Sequence, residues 1–356
     1  MTLFKDMLKG DESLFRNEMA LDFEFLPKIL PYREAEQRHF ATCIQPLLQG
    51  RNGRNLLVHG APGIGKTAAM KSVFRDLETE TDEVIHIYVN CWQKNTAFKI
   101  LIDICDQLDY KLTHNKRTEE LFEVVKQIIN KKAAVFAFDE VDKIEEADFL
   151  YTLLEEIYKK SIFLITNHKD WLIELDQRIK SRLMPEILEF RKYNINETRG
   201  ILKARADFAF VPGCWDDDAF EIIVAKSFEL EDIRSGLYMM RESGMIAEGK
   251  SSRKITAEHV KQAIAKIDEF SIKPKDDLDD DAQFILELVK QNTGKKIGDI
   301  FKKYQESGGQ SVYKTFQRKV RKLADGKFIS IQLIKGGAEG STSILTYQQT
   351  KKLTEF

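Results

Sequence analysis

The sequence predicts an α/β core with a parallel sheet and helices on both faces, followed by an all-helical region and a C-terminal winged helix-turn-helix. Short apolar strands alternate with helical segments between residues 56 and 167, a pattern typical of a parallel sheet covered on both sides. Beyond Tyr193 the hydrophobic spacing becomes helical. Near the C-terminus, three helical segments precede two strand-like segments.

The core begins after an N-terminal arm. The arm covers residues 1 to about 30, where Pro27 and Pro31 interrupt regular structure, and a helix is predicted from Arg33 to about Leu48. The predicted strands are LLVHG, VIHIYVNC, AAVFAFDE and SIFLITN. The predicted core helices are TAAMKSVFRDL, TAFKILIDICDQL, EELFEVVKQIINK and DFLYTLLEEIYK.

The region after the core is helical as far as an acidic linker. Its predicted helices are NETRGILKARADFAF, DDDAFEIIVAKSF, EDIRSGLYMMRESGMIAE and TAEHVKQAIAKIDEF. Residues 271–281, SIKPKDDLDDD, are rich in aspartate and contain Pro274, which suits a solvated linker.

The segment HGAPGIGKTAAM, residues 59–70, predicts a phosphate-binding loop between an apolar strand and a helix. Glycines let backbone N–H groups face phosphate oxygens, a lysine reaches the β and γ phosphates, and a threonine hydroxyl holds Mg²⁺. The N-terminus of the following helix adds partial positive charge. The alternative is a chance glycine-rich turn, which the flanking strand and helix disfavour. The expected nucleotide-binding residues of the loop are Gly60, Ala61, Pro62, Gly63, Ile64, Gly65, Lys66, Thr67 and Ala68.

Two acidic residues and an asparagine follow later strands. Asp139 and Glu140 end the apolar strand AVFAFDE, at the strand edge where open α/β sheets bind ligands. We expect Asp139 to support Mg²⁺ and Glu140 to polarise the attacking water. A helix cap is the alternative for this acidic pair. Asn167 ends SIFLITN, where a polar side chain can orient water, although a lone asparagine there is more often a turn residue.

In this order, the motifs resemble an AAA+ ATPase, and more narrowly the origin-recognition and replication-licensing initiators of archaea and eukaryotes. The similarity extends over nearly the whole chain. Two segments of the first half show the resemblance: LFRNEMALDFEFLPKILPYRE resembles the family's arm beside the adenine, and IYVNCWQKNTAFKILIDI resembles its strand and helical insertion. Two later segments also show it: DQRIKSRLMPEILEFRKYN resembles the arginine-finger segment, and LEDIRSGLYMMRESGMIAE resembles the lid helix. The resulting domains are the arm and AAA+ core (1–193), the lid (194–270), the linker (271–281) and the winged helix (282–356).

The resemblance implies a role for individual residues. Asn167 becomes the first sensor and Arg234 the second, while Arg182 becomes the arginine finger offered to a neighbouring subunit. Arg178 is the rival finger, and the sequence leaves this choice open. Thr67 and Asp139 would hold Mg²⁺, and Tyr193 joins the residues expected to bind ATP or ADP. One departure from the family is that Glu231 stands where the family usually has glycine, directly before Asp232.

The C-terminal region carries a concentration of positive charge. Between Lys295 and Lys335 there are 11 Lys or Arg and 3 Asp or Glu, an excess of 11 − 3 = 8 in a chain of net charge −2. Such an excess is typical of phosphate contact, and a solvated face or a protein-binding surface is the alternative. An apolar stripe is expected to pack inward, namely Val312, Phe316, Val320 and Leu323. The residues expected to contact DNA are Tyr313, Lys314, Gln317, Arg318, Arg321 and Lys335. The resemblance adds Asn95–Lys99 of the helical insertion.

The cysteine and histidine spacing disfavours a metal-binding protein, and the hydropathy pattern disfavours a membrane protein. The four cysteines and six histidines show no metal-ligand spacing, so the thiols are expected to be buried and reduced. We find neither a signal peptide nor an apolar run of the ~18 residues that a membrane helix needs, which predicts a cytoplasmic, nucleoid-associated protein without a membrane partner.

Together these features predict an ATP-binding and slowly hydrolysing replication initiator. It would bind duplex origin DNA, act with other initiator subunits and help recruit the replicative helicase. One alternative is a clamp-loader-like or signalling AAA+ ATPase whose winged helix contacts protein. Another is a regulatory initiator paralogue of a plasmid or virus.

Overall fold

The computed structural model describes residues 13–271, 280–309, 311–325, 328–334 and 342–347. The chain divides into two compact units, residues 1–264 and 265–356. The first unit contains both the predicted core and most of the predicted lid. The division falls inside a helix, slightly before the predicted linker, and the predicted domain boundaries stay predictions.

A five-stranded parallel sheet forms the centre of the first unit. Its strands are β1 (Leu56–His59), β2 (Val84–Asn90), β3 (Ala133–Asp139), β4 (Lys160–Thr166) and β5 (Glu186–Glu189). They lie in the order β2-β3-β4-β1-β5. β4 therefore lies between β1 and β3, which brings the segments after these three strands to one edge of the sheet.

Helices cover both faces of this sheet, as predicted. They are α1 (Glu34–Leu48), α2 (Lys66–Glu80), α3 (Ala97–Gln107), α4 (Thr118–Ile129), α5 (Asp148–Glu156), α6 (Trp171–Glu174) and α7 (Gln177–Leu183). α1 and α2 pack against one face, where Val135 and Ala137 point. α3, α4, α5 and α7 pack against the other face, where Phe136 and Phe138 point. Buried strands of this kind read as continuous apolar runs because neither face meets water.

The next four helices form the helical region that the sequence predicts, and the boundary between the two units lies within the last of them. They are α8 (Ile195–Ala209), α9 (Asp217–Glu229), α10 (Ile233–Gly249) and α11 (Ala257–Ser271). α8 begins with a capping box, in which Asn194 and Glu197 each accept a hydrogen bond from the other's backbone N–H, both at 2.9 Å. The arm packs on these helices, since Arg205 of α8 donates to the carbonyls of Ala20 and Phe25 at 2.9 Å.

The second unit combines three helices with a small antiparallel sheet. The helices are α12 (Asp280–Gln291), α13 (Ile297–Glu306) and α14 (Tyr313–Asp325), and the strands are β6 (Lys295–Lys296), β7 (Ile329–Ile334) and β8 (Thr342–Tyr347), in the order β6-β8-β7. This order of elements is compatible with the predicted winged helix-turn-helix, whose assignment stays a prediction. The Gly-rich tip KGGAEG, including Lys335, lies outside the described residues.

The core of the second unit corrects one sequence expectation. Phe316, Val320 and Leu323 are fully buried, as predicted, but Val312 is 69% exposed. The reason is that α14 begins at Tyr313, so Val312 precedes the first turn and the helical spacing does not apply to it. Among the described residues of the whole chain, none forms a helix long and apolar enough to cross a bilayer.

Candidate nucleotide-binding site

The loop between β1 and α2 has the backbone that the phosphate-loop pattern predicts. Gly63 and Gly65 have φ angles of +73° and +89°, in the left-handed region that favours glycine. A Cβ atom on Gly65 would lie 2.8 Å from the hydroxyl of Tyr193, and one on Gly63 would collide with the carboxylate of Asp232. The concave face of the loop, called the cradle below, stays open only because Gly63 and Gly65 have no side chain. It lies directly before the N-terminus of α2 at Lys66.

Lys66 lies at the centre of this cradle. Its Nζ donates to the carbonyls of Gly60 and Ala61 at 2.9 and 2.8 Å, and to Oδ1 of Asn167 at 2.7 Å. Burial lowers the pKa of Lys66, while the negative charges of Glu140 and Asp139 oppose that shift. The sheet thus brings an ammonium group and a strand-end amide together at one point.

The other loop residues support the cradle. Ile64 is 1% exposed and packs in the core under α1 and α2. Ala61 packs beside it, Pro62 is exposed at the tip of the turn, and Ala68 lies in the first turn of α2.

Thr67 and Asp139 meet as the predicted metal-supporting pair. The hydroxyl of Thr67 donates to Oδ2 of Asp139 at 2.6 Å. The same carboxylate oxygen accepts a second hydrogen bond from the hydroxyl of Tyr88 at 3.0 Å. Burial chiefly, and the neighbouring Asp139, raise the pKa of Tyr88, so its hydroxyl remains a donor. A hydroxyl beside a buried carboxylate matches the oxygen donors that Mg²⁺ prefers.

Glu140 has an unusual backbone. Its φ of 52° and ψ of 44° are left-handed, a conformation that costs a non-glycine residue about 1–3 kcal/mol. The backbone turns here because the chain leaves β3 into the short 3-10 turn Val141–Lys143. As a result, the Glu140 carboxylate accepts a hydrogen bond of 2.9 Å from Asn167 Nδ2. Asn167 therefore connects Lys66 to Glu140.

The start of α10 approaches the loop from the lid. Asp232 caps α10 by accepting from the backbone N–H of Arg234 at 2.8 Å. Its carboxylate also pairs with the guanidinium of Arg234, at 3.2 Å to Nε and 3.1 Å to Nη2. Since Asp232 also lies against Gly63, this pair is next to the phosphate loop. The predicted second sensor is therefore close to the site and bonded to its own helix cap.

Glu231, the departure from the family pattern, has a φ of 56°. This left-handed angle gives a physical reason for the family's glycine at the position. The side chain of Glu231 forms an ion pair with Lys192, in the segment between β5 and α8.

Arg33 is a site residue that sequence reasoning missed. It is fully buried and donates to the carbonyls of Ile64 and Arg191, at 2.9 and 2.6 Å, and to the hydroxyl of Tyr193 at 3.0 Å. Its guanidinium also lies 4.1 Å from the centre of the Tyr193 ring. Arg33 and Tyr193 thus anchor the arm to the phosphate loop. The only sequence signal was an arginine directly after the arm's last proline and a tyrosine.

The two candidate finger residues lie apart from this network. Arg182 is bonded to Glu155 and to the hydroxyl of Tyr151, and is about half exposed. Arg178 is 72% exposed and bonded to Asp176. Both guanidinium groups lie over the ring of Tyr151, at 5.0 Å for Arg182 and 6.0 Å for Arg178. The choice between them stays open.

Five of the residues predicted to contact DNA lie on α14, while the sixth, Lys335, lies outside the described residues. Tyr313 is 40% exposed and packs edge-on against Phe301, with ring centres 4.8 Å apart. Lys314, Arg318 and Arg321 are exposed, and Gln317 is partly exposed. In the insertion, Lys99 Nζ donates to Asn95 Oδ1 at 3.0 Å.

Comparison with known proteins identifies related domains and related chains. Residues 49–168 match the family described as AAA domain, and residues 199–265 match the Cdc6 AAA+ ATPase-type lid domain. The chain is 29% identical over 354 residues to the ORC1-type DNA replication protein 2 of Methanosarcina acetivorans, covering 96% of this chain and 95% of the relative. It is 33% identical over 268 residues to the ORC1-type DNA replication protein 1 of Sulfurisphaera tokodaii, covering 72% and 67%.

The chain is also similar to a solved structure over nearly its whole length. The Aeropyrum pernix ORC1 protein in complex with DNA has a TM-score of 0.70 and 27% identity, covering 94% of this chain and 93% of that chain. The chain therefore belongs to the family of ORC1-type DNA replication proteins, the Orc1/Cdc6 replication initiators, and carries the AAA+ ATPase domain and the lid of that family.

Proposed function

We propose that this protein binds ATP, hydrolyses it slowly, and uses the bound nucleotide to control its attachment to duplex origin DNA. The observation that carries the proposal is the connection of Lys66, Asn167 and Glu140 by hydrogen bonds in one cluster, with the lid pair Asp232–Arg234 beside it. Residues from three strand ends and from the lid thus surround one cradle, which suits a switch that senses a terminal phosphate.

Each residue of the cluster has a proposed task. Lys66 and the backbone N–H groups of the loop from Gly60 to Ala68, except Pro62, which has none, hold the phosphates, and Tyr193 lines the nucleotide. Glu140 polarises the attacking water and Asn167 orients it. Thr67 and Asp139 hold Mg²⁺, which supplies positive charge to the phosphate oxygens when it is bound. Glu140 is preorganised for this task because its left-handed backbone aims the carboxylate at Asn167.

The lid supplies the switch. Arg234 is bonded to Asp232 beside the loop, and a γ-phosphate competes with that carboxylate for the same guanidinium. Arg234 therefore holds the lid differently with ATP than with ADP, which sets the angle between core and lid. Arg182 is offered to the ATP of a neighbouring subunit, which makes hydrolysis depend on assembly.

The DNA-binding part of the proposal rests on α14. Its apolar side is buried, while Lys314, Arg318 and Arg321 face solvent, as expected for a helix that enters a groove. Similarity to an Aeropyrum pernix protein solved with DNA supports the same conclusion. We further propose recruitment of the replicative helicase, and a cytoplasmic, nucleoid-associated location.

The proposal is tested by fluorescence anisotropy with a labelled duplex at several salt concentrations, with ATP or ADP. We expect tighter binding with one nucleotide than with the other. The variants Arg318→Ala and Arg321→Ala should each weaken binding and lower the slope of log K against log salt by about 1. Lys261→Ala, which removes an exposed charge from α11, is the matched control. Weak duplex affinity with little salt dependence would instead favour a winged helix that binds protein.

A further inference from the structure

Tyr88 contacts the carboxylate of Asp139 but has no role in the predicted nucleotide-binding site. It lies on β2, and its hydroxyl donates to Oδ2 of Asp139 at 3.0 Å. The hydroxyl of Thr67 donates to the same oxygen at 2.6 Å. The other carboxylate oxygen, Oδ1, accepts a hydrogen bond of 3.0 Å from the backbone N–H of Glu140. Asp139 is 4% exposed, so these three contacts, and not bulk water, determine how its carboxylate is oriented.

Side chains of α2 and α3, which lie outside the sheet, contact Tyr88 and hold it in place. Among the described residues, β2 is an edge strand that pairs only with β3, which leaves backbone groups on its outer side without a strand partner. The side chain of Gln107 forms hydrogen bonds with the outer backbone groups of Tyr88. It accepts from the Tyr88 backbone N–H at 3.0 Å and donates to the Tyr88 carbonyl at 2.7 Å. Lys71 of α2 lies over the Tyr88 ring, 4.3 Å from its centre.

Gln107 is the last residue of α3, the helix that resembles the initiator insertion. The contacts therefore run from the insertion through Gln107 and Tyr88 to Asp139. We propose that Tyr88 is a positioning residue, which orients the Asp139 carboxylate for Mg²⁺, and that Gln107 holds Tyr88 in place for this task. This inference rests on the proposed ATPase function, since it assigns Asp139 to the metal.

The effect of Tyr88 is exerted through Asp139. Residues that orient a metal-supporting group typically change metal affinity by about 10–100-fold when they are removed. The substitution Tyr88→Phe removes only the hydroxyl and keeps the ring under Lys71. A purely structural tyrosine would alter thermal stability without altering affinity for the metal.

The test measures Mn²⁺ binding by electron paramagnetic resonance in the presence of ADP, where no turnover is needed. We expect Tyr88→Phe to weaken Mn²⁺ binding about tenfold, and to raise the Mg²⁺ concentration for half-maximal ATP turnover in parallel. Gln107→Leu should shift both quantities in the same direction by a smaller factor. Tyr158→Phe, which alters a tyrosine that is 67% exposed, is the control.

The outcomes separate this inference from the proposed function. Mn²⁺ affinity in Tyr88→Phe within twofold of the unsubstituted protein overturns the role of Tyr88, even if ATP is hydrolysed normally. Loss of Mn²⁺ affinity in a protein that never hydrolyses ATP supports Tyr88 and removes the proposed hydrolysis. Equal losses in Tyr88→Phe and Tyr158→Phe would also overturn the inference, and thermal melting of each variant identifies any that fails to fold.

Discussion

The ammonium nitrogen of Lys66 lies 2.7 Å from the side-chain oxygen of Asn167, although 101 residues separate them in the chain. The contact exists because β4 lies between β1 and β3 in the sheet. Asn167 then donates its amide N–H to Glu140 at 2.9 Å. The loop lysine, a strand-end amide and a carboxylate thus form one chain of hydrogen bonds, and the proposed role of this chain in ATP binding leads to the predictions below.

Replacing Lys66 with alanine should abolish ATP binding. The variant loses the one ammonium group that the loop carbonyls of Gly60 and Ala61 hold in the cradle. Hydrogen bonds to charged groups contribute about 1.5–3 kcal/mol each, so the loss of several phosphate contacts should move binding beyond measurement by isothermal titration calorimetry. Lys132→Ala, which removes an exposed lysine bonded to the carbonyl of Asp82, should bind ATP normally.

Glu140→Gln should keep ATP binding and stop hydrolysis. Glutamine retains an oxygen that can accept from Asn167 but cannot take a proton from water. A positioned general base contributes about 10²–10⁴-fold, so turnover should fall by at least ~100-fold while the Kd for ATP changes little. Phosphate release and calorimetry measure the two quantities. Normal hydrolysis in this variant would show that the water-polarising role is wrong.

A mixing experiment should identify the arginine finger. Lys66→Ala cannot use ATP but still offers its arginines to a partner, so adding it to Arg182→Ala should restore hydrolysis if Arg182 acts in trans. Arg178→Ala alone should then retain most activity. Activity is measured as phosphate release across a range of protein concentrations, with duplex DNA present. Loss in Arg178→Ala with retention in Arg182→Ala would reverse the assignment.

The junction between core and lid should become less stable in acid, because Glu197 then becomes protonated and loses its charge. Its hydrogen bonds with Arg191, at 2.7 and 2.6 Å, chiefly lower the pKa of Glu197 from its usual 4.5 to about 2. Because the folded state favours the charged form, the stabilisation is complete above about pH 4.5 and is lost as the pH falls towards 2. Arg191 is 60% exposed, so solvent screens this pair.

Glu197→Gln tests that dependence, because glutamine can keep the capping box with Asn194 while losing the charge. We expect it to lower the free energy of unfolding by about 1 kcal/mol at pH 7. The difference from the unsubstituted protein should shrink below pH 4.5, which urea unfolding at several pH values measures. A difference that stays constant as the pH falls would contradict the assigned ion pair.

Much of the fold follows from local sequence pattern. The phosphate loop is predictable because its glycines and Lys66 have fixed spacing between a strand and a helix. The strands β1, β3 and β4 are predictable because they are buried on both faces. β5 was missed because Glu186–Glu189 is short and alternates between partly buried and exposed positions, like a loop. The prediction that Val312 packs inward is wrong, because sequence pattern does not locate the first residue of α14 to within one position.

The parts of the site that escaped prediction depend on strand order and on distant contacts. Nothing local places the hydroxyl of Tyr88 on Asp139, since this requires β2 to pair with β3 in the observed register. Arg33 escaped prediction because its partners Ile64 and Arg191 lie far along the chain. The left-handed backbone of Glu140 arises from the turn that follows β3.

The most direct test of the central proposal is to capture sheared host-genome fragments on the ATP-loaded protein and sequence them, at ~0.2 M salt to suppress non-specific phosphate contacts. A replication initiator should give a few sharp peaks, which disappear when the residues after Ile272 are deleted. A flat profile, equal for the full chain and the deletion, would contradict site-specific origin binding.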